Sequence, residues 1–267
     1  MLLARVISAI VMVVVFLFGL FVLDEMGFMF FIGAVVVVAS WEWARLSNIR
    51  SQRGRLSFAG LVGTLLYGIA IFDGQSMSLL ITPFLWALAL YWVMIYPRVT
   101  LWQSSFIRLL FGAAILMTTW SALVILKQQA LFVHWILLLM GLIWGADSGA
   151  YFSGRYFGKR KLAVNVSPGK SWEGVLGGVV LTQCGVALFA YYQAMSLAAG
   201  LLLAAIALVT VLVSVLGDLT ESLFKRHEGV KDSSHLIPGH GGVMDRVDSL
   251  TSAAPIFVLL LGILGWL

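Results

Sequence analysis

The chain has 267 residues, of which 61% are hydrophobic and only 11% charged, and its mean hydropathy is +1.01. Soluble domains carry about a quarter charged residues, so a water-soluble fold is excluded. The net charge of +5 is spread between apolar runs, where it orients a chain in a bilayer and attracts anionic lipid heads. It is not a nucleic-acid signal.

Apolar runs near or above about 18 residues recur down the chain, and their continuity without alternation argues against a β-barrel. The fold class that follows is all-α: a polytopic integral membrane protein of about nine transmembrane helices, with 1–267 as a single transmembrane domain. The first segment, MLLARVISAIVMVVVFLFGLFVLDE, has one Arg, a long apolar core and no small-x-small cleavage site before Asp24. It reads as a retained helix over about 5–23 rather than a signal peptide. Spans follow at about 27–44, 56–73, 77–96 and 107–126, making 1–130 a set of N-terminal membrane helices. Four more, at about 131–152, 173–192, 197–217 and 247–267, complete 131–267, the half whose helices and loops are expected to carry any catalytic groups.

Charge placement supports this count. Sixteen of the 17 Lys and Arg fall at the N-terminus or after spans two, four, six and eight, and only Lys127 falls on the other side. The positive-inside rule then puts the N-terminus in the cytoplasm and the C-terminus outside. The two longest connections, about 153–172 and 218–246, are both cytoplasmic on this reading and are where chemistry is expected. The single Cys184 lies in an apolar run, so no intramolecular disulfide is possible. Trp41, Trp43, Trp86, Trp92 and Trp102 are expected in the interfacial belt or in packing. His134 is expected to be packed, and His227 and His235 solvated.

The acids are unevenly placed. Asp147 sits deep in span six, Asp218 and Glu221 end span eight, and Asp245 and Asp248 begin span nine. A carboxylate near the membrane core costs about 3 kcal/mol, so such groups usually face partners or a water-filled cavity. Asp245 and Asp248 are three residues apart, on one helix face, as are Asp218 and Glu221. Like charges that close favour a cation between them, and hard divalent ions take oxygen ligands. Simple helix-end solvation, with Arg246 and Lys225 as ion-pair partners, explains the spacing equally well.

The cations Lys225, Arg226, Lys231 and Arg246 interleave with these acids. Upstream, SPGKSWEG contributes Ser167, Lys170 and Ser171 ahead of a helix N-terminus, a setting that suits an oxyanion. A turn plus a helix cap accounts for the same residues. No Walker A loop and no G-x-G-x-x-G is present. Pro238, Gly239, Gly241 and Gly242 mark a tight, non-helical passage before span nine, with His240 inside it as a phosphate or metal contact or a plain loop residue. Together these groups point to phosphoryl-group chemistry at the cytoplasmic membrane surface, with the substrate left open.

The stretch SLFKRHEGVKDSSHLIPGHGGVMDRVD, residues 222–248, resembles the phosphatidate cytidylyltransferase (CDP-diacylglycerol synthase) family. Ser222, Lys225, Arg226, Lys231, Asp232, Ser234, Pro238, His240, Gly241, Gly242, Asp245, Arg246 and Asp248 fall in register with its pattern. SPGKSWEG and WGADSGAYFSGRYFGKRKL resemble two further family elements, with Gly149 and Ala150 where expected and Gly169 a mild variant. The resemblance covers the C-terminal half; the first five spans match only in general character. It implies the reaction CTP + phosphatidate → CDP-diacylglycerol + pyrophosphate at the cytoplasmic face of the cell inner (plasma) membrane. It also implies dependence on Mg2+, with a second cation left open, and a homodimer. By the same resemblance Asp218, Asp245 and Asp248 would bind metal, with Glu221 and Asp147 in direct or supporting roles. Lys170, Lys225, Arg226 and Arg246 would hold phosphates, and Ser167 and Ser171 would hydrogen-bond them. Ser222, Lys231, His240, Gly241 and Gly242 would complete the substrate site. Two rivals stand beside this reading: a CTP-dependent polyprenol or phytol kinase, and a transporter with an acidic ion path.

Overall fold

The computed structural model describes residues 2–267, with side chains from residue 5 onward. Its helices are α1 (Leu2–Phe21), α2 (Glu25–Leu46), α3 (Gln52–Ile71), α4 (Gln75–Leu79), α5 (Thr82–Ile95), α6 (Ser105–Lys127), α7 (Phe132–Phe157), α8 (Trp172–Tyr192), α9 (Leu197–His227) and α10 (Met244–Ile263). A two-stranded antiparallel hairpin, β1 (Lys161–Ala163) and β2 (Ser167–Ser171), lies between α7 and α8. Among the described residues eight helices are long and apolar enough to cross a membrane, Gln75–Ile95 counting as one, and Arg5–Phe21 is a shorter apolar helix beside them. The protein is therefore a nearly all-α integral membrane protein.

The fourth span is broken. Chain between α4 and α5 turns at Leu80 and Ile81, and Pro83 stands in the first turn of α5, where its missing N–H costs nothing. One predicted end also moves. Span eight was expected to stop at 217, yet α9 continues to His227. The extra turns place Leu219, Leu223 and Phe224 at helical spacing on a buried face. Lys225, Arg226 and His227 then fill the last turn, where positive charge favours the helix dipole. Asp218 and Glu221 therefore lie inside the helix rather than at its end. SPGKS, read as a turn plus a helix cap, is strand β2, with Lys161 opposite Ser171 and Ala163 opposite Ser167, and its Ser171 does cap α8.

Packing joins the two halves of the sequence. Trp43 from α2 meets Phe224 from α9 with ring centroids 4.9 Å apart, and Trp92, Trp102 and Phe111 close around them. These Trp are buried core, and Trp43 Nε1 donates to Arg108 O at 2.8 Å. His134, expected to be packed, is exposed instead. It lies in the first turn of α7, where Trp135 and Ile136 are the residues that turn into the core.

α7 and α8 approach closely because small residues face each other. A Cβ on Gly149 would come within 2.7 Å of Gly177 O, and one on Gly178 within 2.7 Å of Ala146 O. Pro255 lies inside α10 and leaves the carbonyl of Thr251 without its helical donor. Thr119 Oγ1 from α6 lies 3.1 Å from that carbonyl, sharing its hydroxyl with the nearer Ile115 O at 2.6 Å.

Candidate active site

One end of the bundle gathers the chemistry. It holds the C-terminal ends of α2, α7 and α9, the N-terminal ends of α8 and α10, and the hairpin between α7 and α8. There Lys170 Nζ, on β2, lies 2.7 Å from Asp218 Oδ2 on α9. Ser222 donates to the other oxygen of Asp218 from one turn along, at 3.1 Å. Asp147 on α7 and Asp248 on α10 each stand within electrostatic reach of Asp218.

A second knot lies one turn further along α9. Lys225 Nζ sits 2.5 Å from Glu221 Oε2 and 2.7 Å from Asp245 Oδ1, so one ammonium joins α9 to α10. Asp245 Oδ2 accepts from Ser233 N at 2.9 Å, Ser233 Oγ at 2.8 Å and Gly242 N at 2.8 Å. These three contacts crowd Oδ2, while Oδ1 meets Lys225. Glu221 is different: it is 1% exposed, and its Oε1 has no hydrogen-bond partner. Asp248 accepts from Ser249 N at 2.7 Å.

Two cavities of about 490 Å3 each flank these knots. The first is lined by Asp147, Tyr151, Arg155, Lys170 and Ser171 together with Val175 and Val215. The second is lined by Lys231, His240, Gly241 and Arg246, with Arg5 and Asp232. The 237–241 turn that forms its wall is closed by Ile237 N donating to Gly241 O at 2.8 Å. Gly241 has φ +82, and a Cβ there would come within 2.6 Å of Asp245 Oδ2, so both conformation and space call for glycine.

The predicted site residues thus fall into linked groups. Asp147, Lys170 and Ser171 share the first cavity with Asp218 at their side; Lys231, His240, Gly241 and Arg246 share the second; Glu221, Lys225, Asp245 and Gly242 form the knot near them. Ser171 also caps α8, accepting from Gly174 N at 3.1 Å. Ser167 and Arg226 line neither cavity. Arg226 is exposed, and its Nε donates to Val166 O at 3.3 Å, beside the hairpin turn.

Comparison with known proteins gives this arrangement a family. The chain matches the model described as the cytidylyltransferase family over residues 3–264. It belongs to the cytidylyltransferase family. It is 47% identical over 270 residues to a protein named phosphatidate cytidylyltransferase in Pseudomonas aeruginosa, covering 100% of this chain and 99% of that protein. Proteins of the same name in Haemophilus influenzae and Bacillus subtilis are 40% and 33% identical, each matched over 96% or more of both chains. As a cytidylyltransferase family member the chain is a nucleotidyl-transferring enzyme.

Sequence reasoning passed over Glu42. This residue of α2 is 0% exposed, and its carboxylate accepts from Ser234 Oγ, from Val243 N at 3.0 Å and from Met244 N at 2.6 Å. The signal that finds it is an acid inside SWEWARL, within an apolar helix, where an unpartnered carboxylate is costly. Ser8 on α1 was missed too, lying 2.7 Å from His240 Nδ1 and 3.0 Å from Pro238 O. It gives α1 a hold on the wall of the second cavity.

The acid set suits a hard divalent cation by chemistry: every donor is a carboxylate oxygen, and one buried oxygen, Glu221 Oε1, is unused. Among the described residues no three His, Cys, Asp or Glu stand grouped to hold an ion as they are. Two lysine ammoniums stand against these acids in the geometry described, Lys170 paired with Asp218 and Lys225 bridging Glu221 and Asp245.

Proposed function

We propose that this cytidylyltransferase catalyses CTP + phosphatidate → CDP-diacylglycerol + pyrophosphate, with Mg2+, at the cytoplasmic face of the cell inner membrane. The observation that carries the proposal is the convergence of interleaved acids and cations on two cavities at one end of a membrane-embedded bundle. A highly charged nucleotide and a lipid headgroup have to meet at such a boundary. The names of the full-length relatives agree with these substrates. The orientation rests on Lys and Arg crowding the end that carries the site.

In the reaction, a phosphate oxygen of phosphatidate attacks the α-phosphorus of CTP. The bond from that phosphorus to the bridging oxygen breaks, and pyrophosphate leaves with the electron pair. No nucleophilic side chain is required, because the lipid phosphate is the nucleophile. Catalysis of this kind is mainly positioning and charge neutralisation. Lys170 and Arg155 offer cations in the first cavity, and Lys231 and Arg246 in the second. Lys225 holds α9 and α10 in register beside them, and Arg226 flanks the hairpin. Asp218, Asp245 and Asp248, with Glu221 and Asp147, are the groups that would hold Mg2+. When bound it supplies charge neutralisation on the transferring phosphoryl group.

The test is pyrophosphate release by the purified protein in detergent. Release is expected only with CTP, phosphatidate and Mg2+ together, and is expected to stop on chelation and in Asp248→Asn of unchanged gel-filtration profile. A folded protein that turns over no CTP with phosphatidate would overturn the reading.

A further inference from the structure

Glu42 lies on α2, about 200 residues in sequence from the groups it touches, and is 0% exposed. Its two oxygens accept from one short region: Ser234 Oγ, Val243 N at 3.0 Å and Met244 N at 2.6 Å, with Ser233 Oγ 3.2 Å away and closer to Asp245. Val243 and Met244 are the cap and first residue of α10, and Val243 has no capping side chain of its own. The first amides of a helix need acceptors, and a negative charge there also suits the helix dipole. α10 therefore takes its cap from another helix. Ser233 ties this cap to the site, since its hydroxyl stands between Glu42 and Asp245 while its N–H donates to Asp245. A Cβ on Gly242 would collide with the Glu42 carboxylate, so the loop is fitted to that group.

We propose that Glu42 is a positioning residue: it clamps the 231–243 loop onto α10 and so fixes the direction of Asp245 and, through it, Lys225. The proposal rests on the reading of this end of the bundle as the transferase site. It predicts a defect in Glu42→Gln, which presents an NH2 group to donors that need an acceptor.

Two readouts keep the clamp and the activity apart. Hydrogen exchange of the full-length protein in detergent should show faster exchange in Glu42→Gln over 231–246, with α6 and α8 unchanged. In the CTP and phosphatidate assay kcat should fall about 10- to 100-fold, the cost typical of lost supporting contacts, with KM for CTP within about threefold. If Glu42→Gln does not fold, Ser234→Ala, which removes one donor to Glu42, should show the same pattern in milder form. Unchanged exchange over 231–246 overturns the clamp. Faster exchange with unchanged kcat overturns the positioning role. If the wild-type protein turns over no CTP, the transferase reading falls and the exchange result alone decides whether Glu42 holds the loop.

Discussion

Lys170 Nζ stands 2.7 Å from Asp218 Oδ2, so an ion pair joins the hairpin between α7 and α8 to α9 beside a cavity that Lys170 lines. The two side chains are 25% and 29% exposed, and pairs in contact with water contribute only about 0–1 kcal/mol to stability. Lys170→Met should therefore leave the melting temperature nearly unchanged while activity falls at least tenfold. Thermal unfolding in detergent beside pyrophosphate release checks both halves of this expectation.

Lys225 behaves differently, because it bridges two carboxylates that are almost wholly buried. Removing one partner of a buried pair leaves uncompensated charge and costs about 3–5 kcal/mol. Lys225→Met should unfold at markedly lower temperature and lose activity together. Adding Glu221→Gln should recover part of the stability but none of the activity, which a comparison of melting curves and turnover would reveal.

The α7–α8 contact admits no side chain at Gly178, whose Cβ would meet the backbone of Ala146. Gly178→Val should splay the helices that bracket the first cavity and cost about 1–3 kcal/mol by overpacking. Loss of stability accompanied by loss of CTP turnover is the expected outcome. Gly185, with open space around its added Cβ, is the control, and Gly185→Ala should be near neutral.

Cys184 is exposed on the apolar surface of α8 and free of any disulfide. Cys184→Ala should change stability by no more than about 0.5 kcal/mol, as for surface substitutions away from structural features. Activity should be indifferent to reducing agents. A reductant-dependent rate would contradict this.

Much of the architecture is legible in the sequence because hydrocarbon demands long apolar helices, and their ends are marked by charge. What escaped reading has local physical causes. The extension of α9 through Asp218 and Lys225 was hidden because its apolar face, Leu219, Leu223 and Phe224, alternates with charge instead of forming a continuous run. SPGKS looked like a turn because Pro and Gly break most strands, yet in an edge hairpin neither is forbidden. Within the site, Lys170, Asp218, Asp245 and Lys225 stood out as ionisable groups beside hydrocarbon. Their pairing did not, because contacts between α9, α10 and the hairpin depend on tertiary packing. Glu42 was passed over for the same reason: its partners lie about 200 residues away.

Transfer of the cytidylyl group is tested most directly by following label from CTP in the purified protein with phosphatidate and Mg2+. With CTP labelled at the α-phosphorus, label should enter the lipid; with CTP labelled at the γ-phosphorus, it should leave as pyrophosphate. Entry of γ-label into a lipid product, with α-label retained in CDP, would contradict cytidylyl transfer and mark the protein as a kinase.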